Sequence, residues 1–161
     1  MRAGSRPLPA MLEELTAGVR YGDFEHLTDI VLAPTFWGSP FMFSEHLTET
    51  KMIVLFGARP GSMSIIPGEV VPDGLLRGMK AMADPTRLRI LRYLAQEPQT
   101  ASELSKVLRL RPPTVTHHLT QLRLAGMVQV HLDPDGERKY SARYEGFEDT
   151  QDLLNRFVRG E

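Results

Sequence analysis

The side chains best suited to chemistry lie on one predicted helix, residues 112–124. At about 100° per residue, Val115, Leu119 and Leu122 share one side and predict its buried face. The opposite side carries uncharged polar side chains: Thr114, His117, Thr120 and Gln121, with Thr116 at its edge. A face that meets only solvent usually carries Lys and Glu, whereas Thr, His and Gln hydrogen-bond to base edges and phosphates. This pattern predicts a surface that binds nucleic acid.

Five histidines are the other candidates for catalysis or metal binding: His26, His46, His117, His118 and His131. None lies in a metal-ligand or triad-like motif, and the sequence has no Gly-rich phosphate-binding loop. His117 and His118 point about 100° apart on a helix, so they do not converge on one metal. Because His118 flanks the buried side, we interpret it as a packed histidine. No enzymatic activity is predicted, and no catalytic, cofactor-binding or metal-binding residue is assigned.

The composition is typical of a folded protein. The 161 residues fit one medium domain or two small ones, and 42% of them are hydrophobic and 24% charged. No apolar run approaches the roughly 18 residues of a membrane helix. Residues 1–7 have no apolar segment behind their arginines, so no signal peptide is predicted. The absence of cysteine excludes disulfides, thiolate metal sites and cysteine nucleophiles. We expect a cytoplasmic protein without a membrane partner.

The formal net charge of −1 conceals an uneven distribution. Residues 1–75 carry 5 basic and 9 acidic groups, residues 76–143 carry 12 and 6, and residues 144–161 carry 2 and 5. A basic middle in an otherwise acidic chain is typical of a polyanion-binding module. An unevenly charged solvated surface gives the same distribution, so charge alone does not separate the two interpretations.

Helix start signals recur in the second half of the chain. Asp84 before Pro85 is the pattern of an N-cap followed by a first helical residue. Thr100 and Glu103, three residues apart, have the spacing of a capping box. The helix that follows Thr100 is separated from residues 112–124 by a predicted three-residue turn. These signals predict two short helices in succession, the second of which is the helix with the polar face.

A β-hairpin is predicted after that helix, which Gly126 ends. It consists of a strand at 127–132, a turn at 133–136 and a strand at 137–143, and a last helix is predicted at 147–158. Two short helices, a tight turn and a hairpin are the order of a winged helix–turn–helix. In that arrangement the second helix fits the DNA major groove, and the hairpin contacts backbone or minor groove.

The first 73 residues predict a different kind of structure. Residues 1–7 are predicted to be disordered, and a short helix is predicted from the apolar stripe Met11, Leu12, Leu15 and Val19, ending at Gly22-Asp23. Three strands are predicted at 27–33, 40–44 and 51–58. Glycine and proline recur through 57–74, so we place a domain boundary there. The predicted fold class is α+β, with a winged helix–turn–helix domain at 74–161 preceded by a small N-terminal helix and β-strand segment at 1–73.

Three stretches of the second half resemble the arsenic-repressor (ArsR) family of bacterial regulators. Met82–Leu91 resembles the opening of that family's domain, Pro113–Val128 its recognition helix, and Gly136–Tyr140 its wing. The resemblance covers residues 74–158, about half of the chain. Residues 1–73 resemble, without a sharp motif, the end of the N-terminal region of longer regulators of the family. The resemblance implies a dimeric winged helix that dimerises through residues 74–83 and 145–158.

The resemblance also implies a function and a partner. We expect a sequence-specific DNA-binding transcriptional regulator that acts as a homodimer on a two-fold operator in double-stranded DNA. The predicted base-reading residues are Thr114, Thr116, His117 and Gln121, and the predicted phosphate contacts are Arg111, Arg138 and Lys139. Arg111 stands where the family often has a small polar residue, so it does not cap the helix in the same way.

Metal sensing is not expected. Metal-sensing members of the family place cysteines on the first helix of the DNA-binding pair, where this chain has residues 103–107 without a thiol. Other members use histidines and carboxylates on the last helix, where this chain has Asp149 and Asp152 but no histidine. Two aspartates three residues apart are more typical of a solvated face. We therefore predict no bound metal or cofactor.

Two alternatives remain open at this point. A winged helix that has lost DNA binding would serve as a protein-interaction module, although the basic pair Arg138-Lys139 and the polar helix face favour DNA. Seven aromatic residues precede the boundary: Tyr21, Phe24, Phe36, Trp37, Phe41, Phe43 and Phe56. They suit either a pocket for an unidentified small-molecule effector or a small hydrophobic core or dimer contact, and we favour the core or contact.

Overall fold

The computed structural model describes residues 7–21, 26–60, 62–63, 71–132 and 137–160. Six helices lie within these ranges: α1 (Leu8–Leu15), α2 (Asp73–Met82), α3 (Pro85–Leu94), α4 (Ala101–Leu108), α5 (Pro112–Leu124) and α6 (Glu145–Arg159). The same ranges hold seven strands: β1 (Val19–Tyr21), β2 (Asp29–Thr35), β3 (Met42–Thr48), β4 (Lys51–Gly57), β5 (Gln99–Thr100), β6 (Val128–Leu132) and β7 (Arg138–Ala142). The strands form a four-stranded sheet in the order β1-β6-β7-β5 and a three-stranded sheet in the order β2-β4-β3.

The C-terminal helices and the β6–β7 hairpin enclose one apolar core. Its fully buried side chains come from α3, α4, α5 and the start of the hairpin: Ile90, Leu104, Val115, Leu122, Met127 and Val128. The hairpin is antiparallel, with Val128 opposite Ala142 and Leu132 opposite Arg138. The predicted α+β winged helix–turn–helix is confirmed, while the predicted turn 133–136 lies outside the described residues.

Local sequence signals set the ends of these helices. Asp84 accepts a hydrogen bond from the backbone N–H of Arg87 at 2.9 Å and caps α3. Thr100 and Glu103 make both hydrogen bonds of a capping box at the start of α4. Gly126 follows α5 with a φ of 73°, a left-handed conformation that glycine adopts without a steric penalty. These predicted caps are confirmed.

The predicted N-terminal helix is shorter than its apolar stripe. The helix α1 ends at Leu15, and Ala17 and Gly18 then adopt positive φ values of 53° and 102°. This reversal turns the chain, so Val19 begins β1, where it pairs in parallel with Val130 of β6. The expectation that Val19 belongs to the helix is therefore wrong. The predicted break at Gly22-Asp23 lies outside the described residues.

The three strands predicted in the N-terminal segment form the second sheet. The central strand β4 pairs in parallel with β2 and antiparallel with β3. One side of the sheet packs on α1, where Leu12, Met52 and Val54 are buried together. Of the seven N-terminal aromatic residues, Phe56 is buried and Phe24 lies outside the described residues. Four are exposed, namely Phe36, Trp37, Phe41 and Phe43, so the interpretation as a hydrophobic core does not hold for them.

An ion pair joins Arg59, which follows β4, to Asp73, the first residue of α2. The guanidinium of Arg59 lies 3.0 Å from the Asp73 carboxylate, and the Arg59 side chain is only 1% exposed. The boundary between 1–73 and 74–161 stays a prediction, since Gly61 and residues 64–70 lie outside the described part of the chain and β1 joins the sheet of the wing. In the described ranges, no helix is long and apolar enough to cross a membrane.

Candidate nucleic-acid interface

The helix α5 is held against the core by one face. Val115, Leu119 and Leu122 on that face are almost completely buried. Before it, Arg109 adopts a left-handed φ of 55° that ends α4 and redirects the chain toward α5. Because α5 is fixed by packing along its buried face, its opposite face is presented to solvent as a rigid row.

Three of the four predicted base-reading side chains lie on that opposite face, and Thr116 lies at its edge. Thr114, Thr116, His117 and Gln121 are exposed. The neighbouring Thr120 hydroxyl donates a hydrogen bond to the Thr116 carbonyl at 2.9 Å, so it is partly satisfied within the helix. The exposed row carries hydroxyl, imidazole and amide groups, which donate to and accept from base edges in a major groove. The structure thus brings the predicted readers together on one surface.

Two of the predicted phosphate contacts, Arg111 and Arg138, lie near this row. Arg111 lies directly before α5 and makes no side-chain capping bond, as its departure from the family pattern suggested. Arg138 begins β7 on the wing and is exposed. Among the residues that the structure describes, neither arginine has a carboxylate oxygen within 4 Å. Both charges are therefore available to an external anion.

Lys139 differs from the two arginines. It is half-buried in the β5–β7 ladder, opposite Thr100, and its Nζ lies 3.8 Å from a carboxylate oxygen of Glu137. An exposed pair of this kind is weak, about 0–1 kcal/mol, so it does not exclude a phosphate contact. We therefore expect Lys139 to be a weaker phosphate contact than Arg138.

The adjacent histidines have separate surroundings. His117 is exposed on the row of predicted base-reading side chains of α5 (Thr114, Thr116, His117 and Gln121), called the reading row below, whereas His118 is mostly buried. The two ring centroids are 5.9 Å apart, and the ring planes meet at 65°. The His118 Nδ1 lies 3.9 Å from the Asp84 carboxylate. Burial lowers the pKa of His118, and the Asp84 charge opposes that shift. In the described ranges, no cluster of three or more His, Cys, Asp or Glu is placed to hold a metal ion.

Three further cations, which the sequence pattern did not single out, border the reading row. Arg123 lies in the groove between α5 and the wing with Thr116 and Arg138. Arg77 and Lys80 of α2 line a small cleft beside Gln121 on the other side of α5. Arg123 could have been found from the sequence, because it lies about 80° from Val115 on the helix, close to Thr116. Arg77 and Lys80 could not have been found in this way, because their place beside Gln121 depends on a tertiary contact between α2 and α5 that no local sequence pattern predicts.

The comparisons with known proteins agree on this region. Residues 84–130 match the model of the bacterial regulatory protein, arsR family. The probable mercury resistance operon repressor of Streptomyces lividans is 34% identical over 62 residues, covering 38% of this chain and 50% of that protein. An uncharacterized HTH-type transcriptional regulator of Methanocaldococcus jannaschii is 37% identical over 59 residues, covering 37% of this chain and 62% of that protein. These descriptions name regulators rather than enzymes.

A solved structure is also similar. An ArsR-like transcriptional regulator from Rhodococcus sp. RHA1 is 28% identical with a TM-score of 0.48, covering 54% of this chain and 79% of that one. The chain spans half to about three-fifths of the length of the two curated relatives. The family match begins at Asp84, the cap of α3, and ends at Val130 in β6, so it contains the reading helix and the first wing strand. Within the winged helix–turn–helix, residues 84–130 therefore match the arsR family of bacterial regulators.

Proposed function

We propose that this protein is a transcriptional regulator that binds double-stranded DNA as a homodimer on a two-fold operator. One observation carries the proposal: a rigid row of uncharged polar side chains on α5 lies near Arg111 and Arg138, which have no acidic partner among the described residues. Base edges are read by hydrogen bonds, whereas phosphates are held by cations. The combination of uncharged hydrogen-bonding groups and cations without an acidic partner supports DNA as the proposed partner.

Self-association is proposed to use α2 and α6. These helices pack on each other, and Leu76 and Met79 of α2 remain exposed, while Leu154 and Phe157 of α6 are half-buried. The apolar residues predicted to form the dimer contact also include Leu75 and Phe147, but Leu75 is buried within the protomer and Phe147 packs against the central core. The remaining apolar stripe suits a second copy of the same surface, since a two-fold contact is self-complementary. Light scattering at micromolar concentration tests this, and a monomer would contradict it.

The regulator is proposed not to respond to metals. Its 161 residues contain no cysteine, and soft metals such as cadmium and mercury are captured by thiolates. Zinc, cadmium or arsenite should therefore change DNA affinity by no more than a few-fold. A stoichiometric, tightly held metal that releases the protein from DNA would contradict this part of the proposal.

The experiment that tests the proposed function is selection of genomic fragments by the purified protein, followed by sequencing. We expect enrichment of fragments that share a two-fold motif with half-sites about one helical turn apart. The Gln121→Glu variant places a carboxylate in the reading row and should abolish this enrichment. The Arg92→Ala variant removes an exposed arginine of α3 outside the row and serves as the matched control. Recovery of fragments without a shared motif by both the natural protein and the Arg92→Ala control would favour the protein-interaction alternative.

A further inference from the structure

A cavity of about 420 Å³ lies between α5, the wing and the beginning of β3. Thr116 and Arg123 line it from α5, Arg138 and Tyr140 from β7, and Met42 and Ser44 from β3. Small-molecule sites in proteins have volumes of about 300–1,000 Å³, so this space is large enough for a ligand. Two of its walls, α5 and the wing, follow each other in the chain, whereas the third wall, β3, is distant in sequence.

Two guanidinium groups share this cavity without an acidic neighbour. No carboxylate of the described ranges lies within 4 Å of Arg123 or Arg138. Arg123 is half-buried, and burial lowers the pKa of its guanidinium, an effect that Tyr140 opposes and the nearby charge of Arg138 reinforces. Two like charges in a partly desolvated space are stabilised by an anion that interacts with both. The cavity therefore favours a ligand with a negative group.

The remaining walls are suited to an apolar body. Leu119 and Val130 line the cavity as buried side chains, and Met42 lies opposite them, half-buried. Thr116 and Tyr140 also line the cavity, and their hydroxyls are further hydrogen-bonding groups. A planar carboxylate accepts two parallel N–H bonds from one guanidinium, which adds geometric selection to the charge. A carboxylate head joined to an aromatic or aliphatic body fits this combination of groups.

The β3 wall distinguishes this cavity from an open DNA groove. The Tyr21 hydroxyl donates a hydrogen bond to the Met42 sulfur at 3.6 Å, and Tyr21 itself lies in β1, which pairs with β6 of the wing. The wall is thus attached to the same sheet as Arg138. A duplex would approach the exposed Arg138 from solvent, whereas β3 gives the cavity a wall that a small molecule can contact.

We propose that this cavity binds a small organic carboxylate with an apolar body, and that its occupation lowers the affinity of the protein for DNA. The second part rests on the proposed function, because Thr116 and Arg138 belong both to the cavity and to the DNA interface. A carboxylate paired with Arg138 withdraws one positive charge from the phosphate backbone. By linkage, DNA lowers the affinity for the ligand by the same factor.

Calorimetric titration of the full chain tests the site without DNA. The probes are benzoate, 2-naphthoate and decanoate, each compared with its own neutral alcohol. At least one carboxylate should bind tenfold more tightly than its alcohol, and the Arg123→Met variant should lose that preference while Arg123→Lys retains part of it. Arg92→Met, outside the cavity, should bind as the natural protein does. Equal binding of acids and alcohols, or no binding of any probe, would overturn the proposed site.

A second variant tests the site without replacing the half-buried Arg123, and a measurement of operator affinity tests the coupling to DNA binding. Ser44 is exposed, so Ser44→Phe narrows the cavity without removing a buried group and should weaken probe binding at least tenfold. At saturating probe, operator affinity should fall at least fivefold, within the usual range of allosteric coupling of about 5- to 150-fold. Probe binding with unchanged operator affinity would overturn the coupling alone. A protein that binds the probe but no DNA would contradict the proposed function and leave the site intact.

Discussion

In the winged-helix half, α3, α4, α5 and the start of the hairpin all contribute fully buried side chains to one core, whereas the described part of the N-terminal segment packs its sheet on α1 through Leu12, Met52 and Val54. The outer side of that sheet remains exposed, with Phe43 at 63% exposure, and Trp37 in the β2–β3 connection at 72%. The segment is attached to the wing by three residues of β1 and by a side-chain hydrogen bond from Gln129 to Glu13. The winged-helix half thus has a core of its own, whereas the N-terminal segment depends on contacts with that half.

The sharpest test of this dependence compares one buried leucine from each region. Leu122→Ala should lower the free energy of unfolding of the whole protein by about 2–5 kcal/mol, because it removes a fully buried side chain from the central core. Leu12→Ala should loosen the three-stranded sheet and leave the winged helix folded. Hydrogen exchange with urea denaturation measures both effects. Loss of protection in α5 by Leu12→Ala would show that the two regions unfold as one unit.

The contact between α2 and α6 provides the next test, within the winged-helix half. A Cβ added at Gly78 would lie 2.3 Å from the Thr150 Oγ1, so Gly78→Ala forces the two helices apart. Such overpacking should cost about 1–3 kcal/mol of stability and weaken the proposed dimer as well. The double variant Gly78→Ala, Thr150→Ala removes the clashing atoms and should recover part of both losses. Thermal unfolding and light scattering are the measurements, and an unchanged single variant would contradict the close packing.

The proposed DNA interface assigns base reading to α5 and phosphate contacts to the wing. Gln121→Ala should cost about 1–3 kcal/mol on the specific duplex and little on random DNA, because an amide reads bases. Arg138→Ala should weaken both duplexes alike and flatten the slope of log affinity against log salt by about one unit for each lost contact. Anisotropy titrations at several salt concentrations test the pair. A specific loss from Arg138→Ala with a uniform loss from Gln121→Ala would reverse the assignment.

The smallest effect expected is a pH dependence of stability from His118, which joins α5 to α3. Burial lowers its pKa below 6.5, so the unfolded chain takes up the proton first and stability is lost as the pH falls through about 6.5. Arg87 and His117 add to the lowering, whereas Asp84 opposes it. His118→Gln should flatten the profile, and Asp84→Asn should steepen it while keeping a capping side chain. Denaturation between pH 5 and 8 measures this, and greater stability at the acidic end would contradict it.

The features predicted from sequence are those fixed by neighbouring residues. Asp84, Thr100 and Gly126 act on the helix ends beside them, and the apolar side of α5 repeats every three or four residues. The strand β1 has only three residues and no alternating pattern, and its partner β6 is distant in the chain. The place of Arg123 beside Arg138 and Met42 likewise depends on three separate segments. Such long-range arrangements leave no local pattern, so the reading row was predictable and the cavity beside it was not.

The attachment of β1 to the wing also sets an order of events during synthesis. Glu13 and Gln129, which bond across this junction, stand 116 positions apart. At about 5–20 residues per second, a ribosome adds that length in roughly ten seconds, so β1 leaves the exit tunnel well before its partner strand exists. Until then β1 lacks its pairing partner, and its backbone N–H and C=O groups are open to other nascent chains. Slowed translation between the two strands should therefore lower the yield of folded protein more than the same pause placed after β7.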